Sequence, residues 1–233
     1  SLIVLLIEFV TKKKSVLLTT TIFGLILSTL ILFIQYLTFD QPRSIFFGTL
    51  IFDKFYLFSA IVLSIITSSI LIGFYDYLIK QISFVSEFIS LILLSLIGSL
   101  FVIMAVDFIT IYLSLELSSL PIIALIAFGR GKFSLEASFK YLILASFSTG
   151  IFLTGVAYIY GVTGSLSLEI INISAINPAI TLGLIFIFIG LAFKLSIAPW
   201  HMWTPDTYQG SPMPVVTYLS TASKVAGFVL AIR

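Results

Sequence analysis

The chain has 233 residues, 60% of them hydrophobic and 9% charged, with a mean hydropathy of +1.22 and a net charge of +2. A soluble domain carries roughly 25% charged residues, so this composition excludes a water-soluble globule and describes an integral membrane protein. The small net charge gives nucleic acid no electrostatic footing. The lack of cysteine excludes disulfides and thiolate-held zinc or iron–sulfur centres, and one histidine cannot make a bis-histidine haem or metal cluster within this chain.

Backbone groups in lipid need internal partners, which leaves helices or closed barrels. The apolar runs are about 20 residues long and do not alternate as strands do, so the fold class is all-α, a polytopic helical bundle. In chain order the helices fall at about 1–11, 15–38, 52–73, 86–106, 108–128, 135–161, 178–198 and 214–232. The first is too short to cross fully. The stretch 45–54, IFFGTLIFDK, is amphipathic and is expected to lie at the interface before its helix enters the membrane. If all eight cross, Lys12, Lys13, Lys14, Lys80, Arg130 and Lys132 collect on one side. Arg43, Lys54 and Arg233 collect on the other. Positive charge favours the cytoplasm or mitochondrial matrix. The loop 199–214, with its prolines and both tryptophans, falls on that inner side. No soluble domain, low-complexity tract or overt repeat interrupts the pattern.

Three charges stand near the middle of apolar spans. Glu116 is the only charge between Asp107 and Arg130, Lys194 the only one between Glu169 and Asp206, and Lys224 lies about midway in the last helix. A charge at the bilayer centre costs roughly 2.5–3.5 kcal/mol, so three cost on the order of 8–10 kcal/mol unless they face one another or a hydrated interior. Burial favours the neutral form and an opposite charge favours the ionised one. Groups held between those tendencies can exchange protons. The expectation is a switchable Glu116–Lys194 pair, with Lys224 relaying protons inward. The plainer alternative is a set of static interhelical salt bridges.

Pro121 and Pro199 each follow one of these charges by five residues. Proline frees a carbonyl and bends a helix, and the freed groups can hold water. The further prolines after Pro199 predict a broken helix near 195–205. Glu136 and Lys140 have i,i+4 spacing and are expected to pair, with Lys140 a weaker candidate for inner-side proton uptake. His201 is either a relay or a loop histidine held by hydrogen bonds. Asp206 reads as a turn or cap residue. Trp200, Trp203 and Tyr208 read as an interfacial belt. Serines and threonines within spans, Thr149 among them, read as helix-packing groups that can also order water, and Gly150 and Gly155 as points of close approach.

The segment GLAFKLSIAPWHMWTPDTYQGSPMPVVTYLSTASKVAGF resembles the seventh-to-eighth-helix region of the chain 2 (bacterial subunit N) family of respiratory complex I, NADH:ubiquinone oxidoreductase. IYLSLELSSLPIIALIAF resembles that family's fifth helix, and SLEASFKYLILASFSTGIFLTGVAYIYGVTGSL its sixth. The likeness runs from about residue 82 onward and more loosely before it. It implies an antiporter-like, inverted-repeat fold, with 1–80 as accessory transmembrane helices and 81–233 as the first five-helix repeat, a proton half-channel. It also implies proton-pathway roles for the residues matching Glu116, Lys194 and Lys224. By the same resemblance this chain binds no cofactor; NADH, FMN, iron–sulfur clusters and ubiquinone belong to partner subunits. The implied surroundings are membrane lipids and other complex I membrane subunits, including antiporter-like neighbours. The family continues for about six more helices, so the expectation is either a separate chain supplying them or a truncation. Wealth in phenylalanine, isoleucine and leucine with modest alanine favours the mitochondrial inner membrane over a bacterial plasma membrane. Two competing functions remain on sequence: a sodium/proton antiporter subunit, and a structural membrane subunit whose charge pairs only hold helices together.

Overall fold

In the computed structural model, residues 13–129, 131–168 and 177–233 are described. The helix expected at 1–11 and the charges Lys12, Arg130 and Glu169 lie outside the described residues. The chain runs through α1 (Lys14–Leu37), β1 (Arg43–Ile45), β2 (Leu50–Phe52), α2 (Lys54–Gly73), α3 (Tyr75–Gln81) and α4 (Val85–Met104). It continues through α5 (Phe108–Ala127), α6 (Lys132–Thr163), α7 (Pro178–Leu195), α8 (Trp203–Gly210), α9 (Met213–Ser220) and α10 (Ala222–Ile232). Among the described residues, seven stretches are long and apolar enough to cross a membrane, the last being Met213–Ile232, which joins α9 and α10.

Short polar residues start three of the spans. Asp53 accepts from the backbone N of Tyr56 at 2.7 Å and caps α2. Asp107 accepts from the backbone N of Thr110 at 2.9 Å and caps α5. Asn177 accepts from the backbone N of Ala179 at 2.9 Å, with Pro178 in the first turn of α7 where its missing N–H leaves no bond unmade. The packing suits lipid as solvent. Phe23, Phe58, Phe147 and Phe188 are exposed, whereas Ser59, Ser64, Thr67, Ser95 and Ser99 are buried between helices. Small residues set the closest approaches. A Cβ on Gly98 of α4 would strike the backbone of Leu117 and Ser118 in α5, and one on Gly155 of α6 would strike the backbone of Gly183 and Ile187 in α7. Gly150, expected to act alike, faces open space.

Contacts at the ends of the described spans sort onto two sides. On one side, Lys14 Nζ donates to the carbonyl of Ile82 at 2.7 Å, and Lys140 reaches Asp206. On the other, the backbone N of Val106 donates to the carbonyl of Thr49 at 3.0 Å, and that of Phe108 to Leu166 at 3.0 Å. Arg233 there joins Asp53, and its Nη1 donates to the carbonyl of Ile103 at 2.6 Å.

Two elements take forms that the apolar pattern did not show. The stretch 45–54, expected to lie at the interface, is built as a hairpin: β1 and β2 pair antiparallel, Arg43 opposite Phe52, and turn through Phe46, Phe47 and Gly48 at positive φ. Leu50 bridges to Ala105, so the hairpin is held against the end of α4 by backbone bonds that a helix there would not offer. The last span is not continuous. Thr221 adopts φ −116°, ψ −78° between α9 and α10. Its Oγ1 donates to the carbonyl of Thr217 at 2.6 Å, and such i−4 bonding by a hydroxyl bends helices without any proline.

Candidate functional site

The break after α7 is made by backbone geometry. Ser196 takes a left-handed conformation, φ 57°. The backbone N of Ile197 donates to the carbonyl of Ala192 at 2.9 Å and that of Ser196 to Phe193 at 3.0 Å, the paired bonds of a Schellman ending. Glycine is usual at that position because it carries no Cβ; here a serine occupies it. Leaving the helix ends the regular i→i−4 ladder, and side chains supply further donors to the last carbonyls. Trp203 Nε1 donates to the carbonyl of Phe193 at 3.0 Å. Lys224 Nζ donates to the carbonyl of Lys194 at 2.8 Å and also to Ser196 Oγ. A lysine ammonium thus sits where the helix dipole is negative. The Trp203 ring lies 4.7 Å from that ammonium, a cation–π distance.

Glu116 and Lys194 share a cavity of about 30 Å³ between α5, α6 and α7, walled by Tyr112, Tyr141, Ser148, Thr149, Phe152 and Phe193. Space above roughly 10–15 Å³ with polar partners can hold a water molecule. The cavity brings together the expected carboxylate and lysine, but the expected direct pair is not present. The ion pairs among the described residues are Lys140–Glu136, Lys140–Asp206 and Arg233–Asp53. Instead Thr149 Oγ1 lies 2.8 Å from Glu116 Oε1 and 2.9 Å from the carbonyl of Ala145. A hydroxyl has one proton, so Thr149 donates to one of these at a time. Sequence reading placed Thr149 among packing hydroxyls. Its contact with Glu116 spans 33 residues, beyond any local signal.

The remaining candidates lie elsewhere. Lys140 pairs with Glu136 at 2.8 Å, as its spacing predicts, and with Asp206 of α8 at 2.8 Å, on an exposed rim. Asp206 is therefore an interhelical partner, not only a turn residue; the contact joins residues 66 apart, beyond any local signal. His201 is exposed in the turn before α8. Trp203 is not part of a belt. It is 3% exposed and packs on Tyr141, Phe193 and Tyr208, because its indole N–H is needed at the broken helix end. Burial pushes the phenol of Tyr208 up from its ordinary range. The backbone beside Pro121, expected to hold water, is closed by Gly98, and Ser95 Oγ donates to the carbonyl of Ser118 at 2.7 Å.

Residues 105–233 match the family described as "NADH:quinone oxidoreductase/Mrp antiporter, TM". NADH-quinone oxidoreductase subunit N 2 of Koribacter versatilis is 38% identical over 81% of this chain and 39% of its own length. NADH-ubiquinone oxidoreductase chain 2 of Oenothera berteroana is 40% identical over 78% of this chain and 39% of its own length. A chain in the structure of respiratory complex I from Thermus thermophilus superposes with a TM-score of 0.83 at 29% identity, over 99% of this chain and 50% of that one. The chain thus spans about two-fifths to half the length of these relatives. With its matched region running from Ala105 through the cavity to Arg233, the chain belongs to the NADH:quinone oxidoreductase/Mrp antiporter transmembrane family.

Proposed function

We propose that this chain forms a proton-conducting half-channel of an antiporter-like membrane subunit of NADH:quinone oxidoreductase, with Glu116, Lys194 and Lys224 as its proton-exchanging groups. The observation that carries the reading is their convergence: Glu116 and Lys194 line one cavity, and Lys224 binds the carbonyl of Lys194 at a broken helix end. A water in the cavity would bridge Glu116 and Lys194 without a direct contact. Lys194 can then pass a proton toward Lys224 or toward Glu116, according to the charge each holds. Thr149 follows that charge: it donates to an ionised Glu116 and turns to Ala145 when Glu116 holds a proton.

In this reading 1–80 supplies accessory helices and 81–233 the conducting repeat. This chain does no redox chemistry and binds no cofactor. NADH, FMN, iron–sulfur clusters and ubiquinone act in partner subunits, among which are other complex I membrane subunits, and quinone reduction there drives the protons by shifting charge and conformation. The membrane is the mitochondrial inner membrane or a bacterial plasma membrane; relatives come from both a plant and bacteria.

The family also contains antiporters, so sodium/proton exchange is the second reading; a requirement for sodium in transport would favour it. The test of the first is Glu116→Gln in the assembled complex. Loss of proton-coupled turnover by about tenfold or more, with assembly intact, is expected. Normal pumping per NADH oxidised would sink it.

A further inference from the structure

The proposed path needs a way for protons to reach Lys224 from the inner surface, and two hydroxyls outside the Glu116 cavity are placed to supply it. Ser196 Oγ accepts from Lys224 Nζ. Thr204 Oγ1, in the first turn of α8, donates to the same Ser196 Oγ at 3.0 Å. Thr204 is half-buried and flanked by the exposed residues His201, Met202, Pro205 and Asp206. A line of hydrogen-bonding atoms therefore runs from half-buried Thr204, beside exposed Pro205 and Asp206, through Ser196 to Lys224. The backbone argues that the serine is there for its hydroxyl. At φ 57° a glycine would satisfy the turn with less strain. A serine there adds a Cβ, which the left-handed backbone disfavours, and one hydroxyl oxygen, which both Lys224 and Thr204 contact.

We infer that Ser196 and Thr204 form a two-hydroxyl proton relay joining Lys224 to the inner surface, an inference that rests on the proton-channel reading above. When Lys224 is neutral, Ser196 donates its proton to the amine. Ser196 Oγ takes the proton of Thr204 in turn, and Thr204 Oγ1 takes one from a hydronium at the α8 surface, leaving water. Three O–H bonds break, one of them in the donor hydronium, and two O–H bonds and one N–H bond form. Lys224 gains one proton, both hydroxyls are restored, and no electrons move. Rotation of the two hydroxyls resets the line, and with Lys224 charged the ammonium donates to Ser196, the arrangement seen here.

The test uses the assembled, membrane-bound complex, with proton pumping and NADH oxidation measured together. Ser196→Gly removes the hydroxyl while suiting the left-handed backbone, so assembly is expected to be normal. Thr204→Val removes the second hydroxyl at nearly constant shape, and Thr204→Ser keeps it. The relay predicts about a tenfold loss of proton-coupled turnover in Ser196→Gly and Thr204→Val, and near wild-type turnover in Thr204→Ser. Lys224→Ala, run beside them, separates the two levels. If Lys224→Ala is impaired while Ser196→Gly and Thr204→Val pump at the wild-type rate, the relay is overturned and the channel stands. Equal impairment of Thr204→Ser and Thr204→Val also overturns the relay, since it marks a packing role. Wild-type pumping in Lys224→Ala removes the channel and the relay together.

Discussion

Pro121 and Pro199 follow Glu116 and Lys194 by the same five residues, yet the chain treats them in opposite ways. Around Pro121 the helix continues from Phe108 to Ala127, and α4 closes on it with Gly98 against its backbone and Ser95 bonded to the carbonyl of Ser118. Ahead of Pro199 the helix ends at Leu195, and the carbonyls of Phe193 and Lys194 accept from Trp203 and Lys224. The local rule about proline is identical in both places. What differs is the neighbour. A glycine and a serine on α4 fit a sealed, apolar seam, whereas an indole and an ammonium fill an open, polar one. A charge with proline five residues on therefore marks where the backbone is weak, and the facing helix decides whether the helix breaks there.

The largest expected effect is on the sealed seam. Gly98→Val places a branched side chain where even a Cβ meets the backbone of Leu117 and Ser118. Backbone cannot move aside as a flexible side chain can, so a loss of about 3 kcal/mol or more is expected. It would be read as failure of the subunit to accumulate in the membrane; normal accumulation would break the comparison. At the open break, Trp203→Phe keeps most of the ring packing but leaves the carbonyl of Phe193 without its indole donor. A loss of about 1 kcal/mol is expected, measured as a lowered thermal transition of the detergent-purified complex. The smallest effect belongs to the exposed rim. Asp206→Asn removes one of two partners of Lys140, leaving Glu136 in place. Such pairs are weak in water, so the thermal transition should not move measurably; a large drop would show that α8 depends on that contact.

Much of this fold was legible from hydropathy. The seven spans from α1 onward lie within three residues of the positions read from apolar runs and loop charges. Bilayer thickness sets helix length, and charges cannot be left in lipid, so composition alone carries that information. The hairpin was not legible, because its strands are only three residues long and its turn uses Phe46 and Phe47 where an Asn-Gly pair would have announced it. The bend at Thr221 rests on a threonine hydroxyl, a residue that elsewhere in this chain sits in unbroken helix, as Thr67 does in α2. At the candidate site, the three charges were visible because they violate the lipid rule. Their partners were not. Thr149 lies 33 residues from Glu116, and Ser196 lies 28 from Lys224. Nothing local distinguishes those hydroxyls from the many that only pack helices.

The central claim is that Lys194 exchanges protons in the cavity it shares with Glu116. The most direct measurement is the number of protons pumped per NADH oxidised by an assembled complex carrying Lys194→Ala, compared with the same complex unaltered. A lower ratio, or turnover reduced about tenfold, is expected in complex that assembles in normal amount. An unchanged ratio at an unchanged rate would contradict it, and would leave Lys194 and Glu116 as structural residues.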